Sequence, residues 1–275
     1  MKKHSNSFLR YAVIILMTLL TLFPVAFLVL NSFKSQTEIV KTPMALPKNF
    51  SFEYIGTAIE KINIGPSFVL TLVITLLSVS LIILVSSAAA WMMVRFKSKV
   101  STVLLLCFTA SMLIPFQAIM YPLISIFDNM GLKNVPGLIL MYGGFGLSMS
   151  LFLYHGFIKS IPVSLEEAAI IDGASPIQVY FQVIMPLLKP TTMTVIILNG
   201  MWIWNDYLLP FLVIGNSPIK TLTLSVYFAK IESGQYGNSW DLIFPAVLIT
   251  ITPVIIMFLF LQKNIIKGIS DGAVK

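Results

Sequence analysis

Two stretches of the chain combine residue types and spacings that can do chemistry. The first reads IPVSLEEAAIIDGASPIQVYFQVIMPLLKP, from Ile161 to Pro190, and sets Glu166, Glu167 and Asp172 among small and apolar residues. Ser164 stands three residues ahead of Glu167, the spacing of a capping box in which hydroxyl and carboxylate each take a backbone amide. A helix therefore starts there and runs through Ala168, Ala169, Ile170 and Ile171, with Gly173 placed to stop it in the left-handed region. Ser175 and Pro176 fit the N-cap and first position of a second short helix that ends before Pro186. Eight helical residues span about 12 Å and are not stable alone, so this knuckle needs a surface to pack on. Glu167 caps its helix, and Glu166 and Asp172 are expected to be solvated or paired at the surface.

The second stretch is WIWNDYLLP, from Trp202 to Pro210. Asp206 falls about 15 residues into a long apolar run, a depth at which a carboxylate is costly and so a functional candidate. With Trp202, Trp204 and Asn205 it makes the polar and aromatic mixture that suits sugars, whose hydroxyls need paired hydrogen bonds while their C–H faces lie on indoles. The alternative is that Asn205 and Asp206 bond to neighbouring helices or a loop while the tryptophans anchor the interface. Gln117, shortly after Pro115, joins the same candidate substrate pathway or serves as a packing amide.

Other chemistries find no support in the sequence. No GxxxxGK[ST] loop, HExxH or CxxC is present, and the spans hold no paired carboxylates. Cys107 is a lone thiol in an apolar run, and His4 and His155 are isolated, so no metal site is expected. Gly143, Gly144 and Gly146 follow no strand and invite close helix approach rather than phosphate binding.

These residues must be positioned by membrane helices. The 275 residues are 57% hydrophobic and 11% charged, with a mean hydropathy of +0.91, against about 25% charged in soluble domains. The net charge of +7 brackets apolar runs instead of forming one patch, which argues against nucleic acid. Six runs are long enough to cross about 30 Å of hydrocarbon: Tyr11 to Leu30, Ser67 to Val94, Thr102 to Ile124, Pro136 to Tyr154, Thr191 to Ile214 and Leu242 to Leu261. The first lacks an A-x-A cleavage site and is read as a retained helix. Prolines 24, 115, 122, 210, 245 and 253 predict kinks rather than breaks. With both termini in the cytoplasm, 11 of the 18 Lys and Arg fall on the inside. The outer loop Asn31 to Pro66 is the longest, and its Thr42-Pro43 and Leu46-Pro47 steps predict an extended path. The fold class expected is an all-α, six-helix polytopic protein with one membrane domain over 1–275, including a cytoplasmic loop over 156–190.

EEAAIIDGASPIQVYFQVIMP resembles the EAA motif of bacterial ABC importer permeases: E-A-A, three residues, Gly, nine residues, then I-x-L-P. Here these are Glu167, Ala168, Ala169, Gly173 and Pro186, with Val183 and Met185 keeping apolar bulk where the pattern prefers Ile and Leu. WNDYLLP, the stretch LPKNFSFEYI (Leu46 to Ile55) and the tail LQKNIIKGISDGAVK are similar to the maltose-type (MalG-like) carbohydrate uptake family, so the resemblance extends from end to end. It implies the type I importer permease fold and a bacterial cytoplasmic-membrane location. It implies no catalysis by this chain, and no cofactor on it beyond the ATP and Mg used by a partner ATPase. Its implied partners are a second permease, cytoplasmic ATP-binding subunits, an extracytoplasmic solute-binding protein and membrane lipid. The resemblance makes the knuckle the coupling helix, with Glu167, Ala168, Ala169, Gly173 and Pro186 at the ATPase, and sends Gly272, Ala273, Val274 and Lys275 toward the same subunits. The expected cargo is a sugar or oligosaccharide; the alternatives are an ion-coupled carrier or a permease for another polar solute such as glycerol phosphate.

Overall fold

The computed structural model describes residues 2–233 and 238–273, with side chains over 9–231 and 238–260. Apolar runs become helices because a backbone in hydrocarbon must satisfy its own hydrogen bonds. In chain order these are α1 (Lys2–Asn31), α2 (Gln36–Lys41), α3 (Glu53–Lys61), α4 (Ile64–Arg95), α5 (Lys99–Ser111), α6 (Phe116–Asn129), α7 (Val135–Ile158) and α8 (Ser164–Ile171). They continue as α9 (Pro176–Leu187), α10 (Lys189–Asn205), α11 (Leu208–Ile214), α12 (Leu222–Ser233) and α13 (Trp240–Ala273). Among the described residues four helices are long and apolar enough to cross a membrane, and the count reaches six if each of two bent pairs is one span.

The chain divides into two compact units, one of Met1–Ser67 with Leu222–Pro253 and the other of Phe68–Thr221 with Val254–Lys275. In the first, α1 exposes Leu9 through Ala26, as a helix bathed in lipid does. Its core packs Ala58 and Ile62 against Ala229, Leu242 and Ala246. The expected extended path after α1 is instead interrupted by α2 and α3, and the longest irregular stretch of this loop is the Pro-containing one between them. Lys34 closes that stretch. Fully buried, its Nζ donates to Asn31 Oδ1 at 3.2 Å and to the carbonyls of Thr42 and Pro43 at 3.1 and 3.0 Å. Burial pulls its pKa below the usual lysine value, against the opposing pull of Glu38.

In the second unit α4 lies against α7 at glycines. A Cβ on Gly143 meets Leu81 Cδ2 at 2.7 Å, and one on Gly146 meets Ile82 and Asn199, so close approach does fix these positions. Gly144 has open space. Two expected spans break outright. Pro115 adopts extended geometry (φ −67°, ψ 140°) and α5 turns into α6 through 107°. Proline has no amide to continue the ladder and drives its predecessor out of the helical region, so this site is a break, not a kink. Pro24, Pro122, Pro245 and Pro253 do stay inside helices. The run Thr191 to Ile214 ends one helix at Asn205 and begins another at Leu208.

Candidate coupling site

The knuckle forms as a helix, a left-handed stop and a second helix, with one change at its start. Val163 occupies the N-cap without a side-chain bond, and its carbonyl accepts from the amides of Glu166 (2.9 Å) and Glu167 (3.1 Å). Ser164 has thereby moved inside the helix, where its hydroxyl no longer faces the free amides, and the expected Ser164–Glu167 box is not made. The box stands eleven residues later: Gln178 N donates to Ser175 Oγ at 3.4 Å and Ser175 N to Gln178 Oε1 at 2.7 Å. Gly173 has φ +86°, and Ala174 N to Ala169 O (2.9 Å) with Gly173 N to Ile170 O (3.0 Å) completes a Schellman stop. α9 does not end before Pro186 but runs to Leu187, through a π turn at Val179–Ile184. The wider turn shifts the preceding carbonyls, so the proline ring enters without its usual clash.

Glu166 is the second correction. It is 6% exposed, neither solvated nor on the surface. Its Oε1 receives Arg95 Nη2 at 2.6 Å and Nε at 2.7 Å, and its Oε2 accepts from Trp91 Nε1 at 3.0 Å. Arg95 Nη2 also donates to Ile161 O at 3.1 Å. A second attachment joins α9 to the same helix: Tyr180 OH lies 2.7 Å from Ser87 Oγ and donates to Leu84 O at 3.3 Å, its ring 5.6 Å from Trp91. Leu84, Ser87, Trp91 and Arg95 follow at steps of three and four, so one face of α4 holds both helices of the knuckle. The signal available in sequence was Trp91 four residues before Arg95 at the end of a span, where a guanidinium must find an acid.

The opposite face is open. Glu167, Ala168, Gly173 and Pro186 are exposed and Ala169 is half-buried. Around them Ile170, Ile171 and Ile177 are 59%, 85% and 70% exposed, an apolar surface of the kind that marks an interaction site.

The intramembrane candidates separate. Asp206 leaves the helix (φ −75°, ψ 136°); its Oδ1 accepts from Leu208 N at 3.0 Å and its Oδ2 from Tyr142 OH at 2.9 Å. An Asp that binds the amide two residues on offers the backbone an alternative to the helix ladder, which accounts for the break. Trp202 stands edge-on to Tyr142, ring centroids 5.4 Å apart, and lines a cavity of about 710 Å³ with Phe145 and Asn199. Trp204 is buried against Phe68 at 5.7 Å, and Asn205 is exposed and turns back to Met201 O at 2.7 Å. Gln117 is exposed in the first turn of α6 and is not among the lining residues. Sequence reasoning missed Tyr142 and Asn199, whose Nδ2 donates to Ser150 Oγ at 3.0 Å and Val195 O at 2.9 Å. Gly272 and Ala273 close α13 with side chains outside the described ones, and Val274 and Lys275 lie outside the described residues. Among the described residues no three His, Cys, Asp or Glu side chains could hold a metal.

Residues 82–271 match the family described as binding-protein-dependent transport system inner membrane component. The chain belongs to that family. The permease is 40% identical over 274 residues to the probable starch degradation products transport system permease protein AmyC of Thermoanaerobacterium thermosulfurigenes, covering 100% of this chain and 99% of that one. It is 36% identical to the multiple sugar-binding transport system permease protein MsmG of Streptococcus mutans over 100% of both chains. It is 34% identical to the melibiose/raffinose/stachyose import permease protein MelC of Bacillus subtilis over 83% of each. A crystal structure of a bacterial ABC transporter involved in the import of the acidic polysaccharide alginate has the same fold, with a TM-score of 0.80, 21% identity and coverage of 95% and 97% of the two chains. The permease is thus a helical membrane component of an ABC importer, a non-catalytic subunit working with an ATPase and a solute-binding protein.

Proposed function

We propose that the permease carries a sugar or oligosaccharide by alternating access, and that the knuckle α8–Gly173–α9 is its dock for the ATPase. The observation that carries this reading is the two-faced construction of the knuckle: an open apolar face around Ala168 and Ile171, and a rear face bonded through Glu166 and Tyr180 to α4. A rigid element so attached passes a rigid-body displacement on to the span it grips. In this reading Glu167, Ala168, Ala169, Gly173 and Pro186 meet the ATPase, and Gly272, Ala273, Val274 and Lys275 approach the same subunits. Both termini are then cytoplasmic, as the lysine and arginine distribution supports. The partner ATPase binds ATP and Mg, a second homologous permease completes the pathway, and the two compact units of this chain act within one permease domain.

The carbohydrate reading rests on the relatives, whose names specify starch products, multiple sugars and raffinose-type oligosaccharides. Trp202 and Asp206 belong to the pathway through Tyr142, which contacts both; Trp204, Asn205 and Gln117 are the remaining candidates. The test is uptake of labelled oligosaccharides by the reconstituted complex, with a polyol phosphate as competitor. Saturable oligosaccharide uptake that falls in Glu167→Ala and Gly173→Asp, with both variants still inserted, supports the proposal. Normal uptake in both variants overturns the docking assignment, and uptake of the polyol phosphate alone overturns the carbohydrate.

A further inference from the structure

Beside the knuckle, the ends of α4, α5 and α7 enclose a second cavity of about 650 Å³ with a different lining. Lys97, Lys99 and Lys159 stand around it and no carboxylate does. None of these three ammonium groups takes part in an ion pair with a described carboxylate, as Arg95 does with Glu166 and Lys133 with Asp128. The cleft next to it, of about 700 Å³, shares Lys97 and Lys159 but adds Glu166 and Glu167, and so is mixed in sign. The contrast isolates the first cavity as a place of uncompensated positive charge. Its floor is apolar, with Met93 and Leu105. Along α5, which borders the cavity, no residue is buried, and Val100, Val103 and Leu106 are 66%, 56% and 63% exposed.

We propose that this cavity binds the phosphate-bearing headgroup of an anionic phospholipid, at the membrane face that carries the coupling loop. A free phosphate ion needs only the lysines. A lipid needs the lysines at the polar end and an uncovered apolar helix leading away from them, and the juxtaposition of this cavity with α5 supplies both. Basic pockets between spans are the recurrent form of such sites.

The experiment is native mass spectrometry of the permease purified with its partner subunits, delipidated and titrated with phosphatidylglycerol or phosphatidylcholine. Expected is retention of phosphatidylglycerol by the wild type and by Lys133→Gln, whose lysine is paired with Asp128. Retention should fall about a hundredfold when Lys97→Gln, Lys99→Gln and Lys159→Gln are combined. Phosphatidylcholine should be held weakly by all. Lys99 lines this cavity and not its neighbour, so Lys99→Gln alone serves where the triple variant does not fold, and should show a partial loss. Equal retention by wild type and variants overturns the site, as does equal retention of the two lipids. Displacement of the lipid by inorganic phosphate at millimolar concentration assigns the cavity to a free anion instead. Loss of the ATPase subunit from the triple variant with phosphatidylglycerol still bound assigns the lysines to an acidic protein surface.

Discussion

The knuckle and the break at Asp206 both set a carboxylate at a helix end, and they hold it in different ways. Glu166 is buried and receives a guanidinium and an indole from one helix face. Asp206, half-buried, receives a phenol from α7 and its own chain's amide. A buried ion pair is costly to break because the surviving charge is stranded in low dielectric. A hydrogen bond from a neutral donor is exchanged for water or a ligand hydroxyl at much lower cost. The first arrangement suits a permanent joint, whereas the Tyr142 bond to Asp206 is one that a competing hydroxyl can replace.

The largest test of that contrast is at Arg95. Arg95→Ala leaves Glu166 without its cation and should destabilise the permease by about 3–5 kcal/mol. The check is thermal unfolding in detergent, together with uptake per ATP hydrolysed. Glu166→Gln with Arg95→Gln, which removes both charges, should recover much of the stability. No recovery would show that packing around Trp91, rather than charge, dominates the joint.

Next in size is the phenol. Tyr142→Phe removes a donor to a carboxylate, a loss of about 1.5–3 kcal/mol if nothing replaces it. If Asp206 exchanges partners with solute, the variant changes the affinity for transported sugar more than the unfolding temperature, and Asp206→Asn does the same. A change in stability with transport kinetics untouched makes the bond a helix-packing contact. Gly173→Asp follows: the left-handed φ of +86° costs a side chain about 1–2 kcal/mol. Because a Cβ there meets nothing within 4 Å of this chain, any larger effect on ATPase binding must come from the partner's surface.

The parts of the two regions legible in sequence are those set by neighbours along the chain. Gly173 as a stop and Ser175–Pro176 as a start depend on residues within a turn of each other, and both form as the sequence predicts. Glu166 was misjudged because its partners lie 71 and 75 residues away, and nothing in EEAA tells which glutamate turns inward. The register follows from α8 starting at Ser164 rather than after it. Both span breaks were hidden for a related reason: hydropathy stays high through Leu113-Ile114 and Leu208-Leu209 whether or not the helix continues. The sequence singles out Trp202 and Asp206 but not Tyr142, which touches both, since a tyrosine in an apolar run carries no signal of the acid it will meet.

The smallest effect is the most specific to the joint. Ser175→Ala removes the hydroxyl that caps α9 and should cost about 1 kcal/mol, within the range for N-cap serines. That cap lies at the free end of the knuckle, beyond both attachments to α4, so its loss frays the first turn, Pro176 to Gln178, and leaves Glu166–Arg95 and Tyr180–Ser87 intact. The expected result is a small fall in ATPase retention with the unfolding temperature lowered by only about 2–4 °C. Combined with Arg95→Ala the two losses should add, because they share no partner. If the double variant loses more than the sum, the cap and the ion pair act as one unit, and the knuckle moves as a single body from its tip to α4.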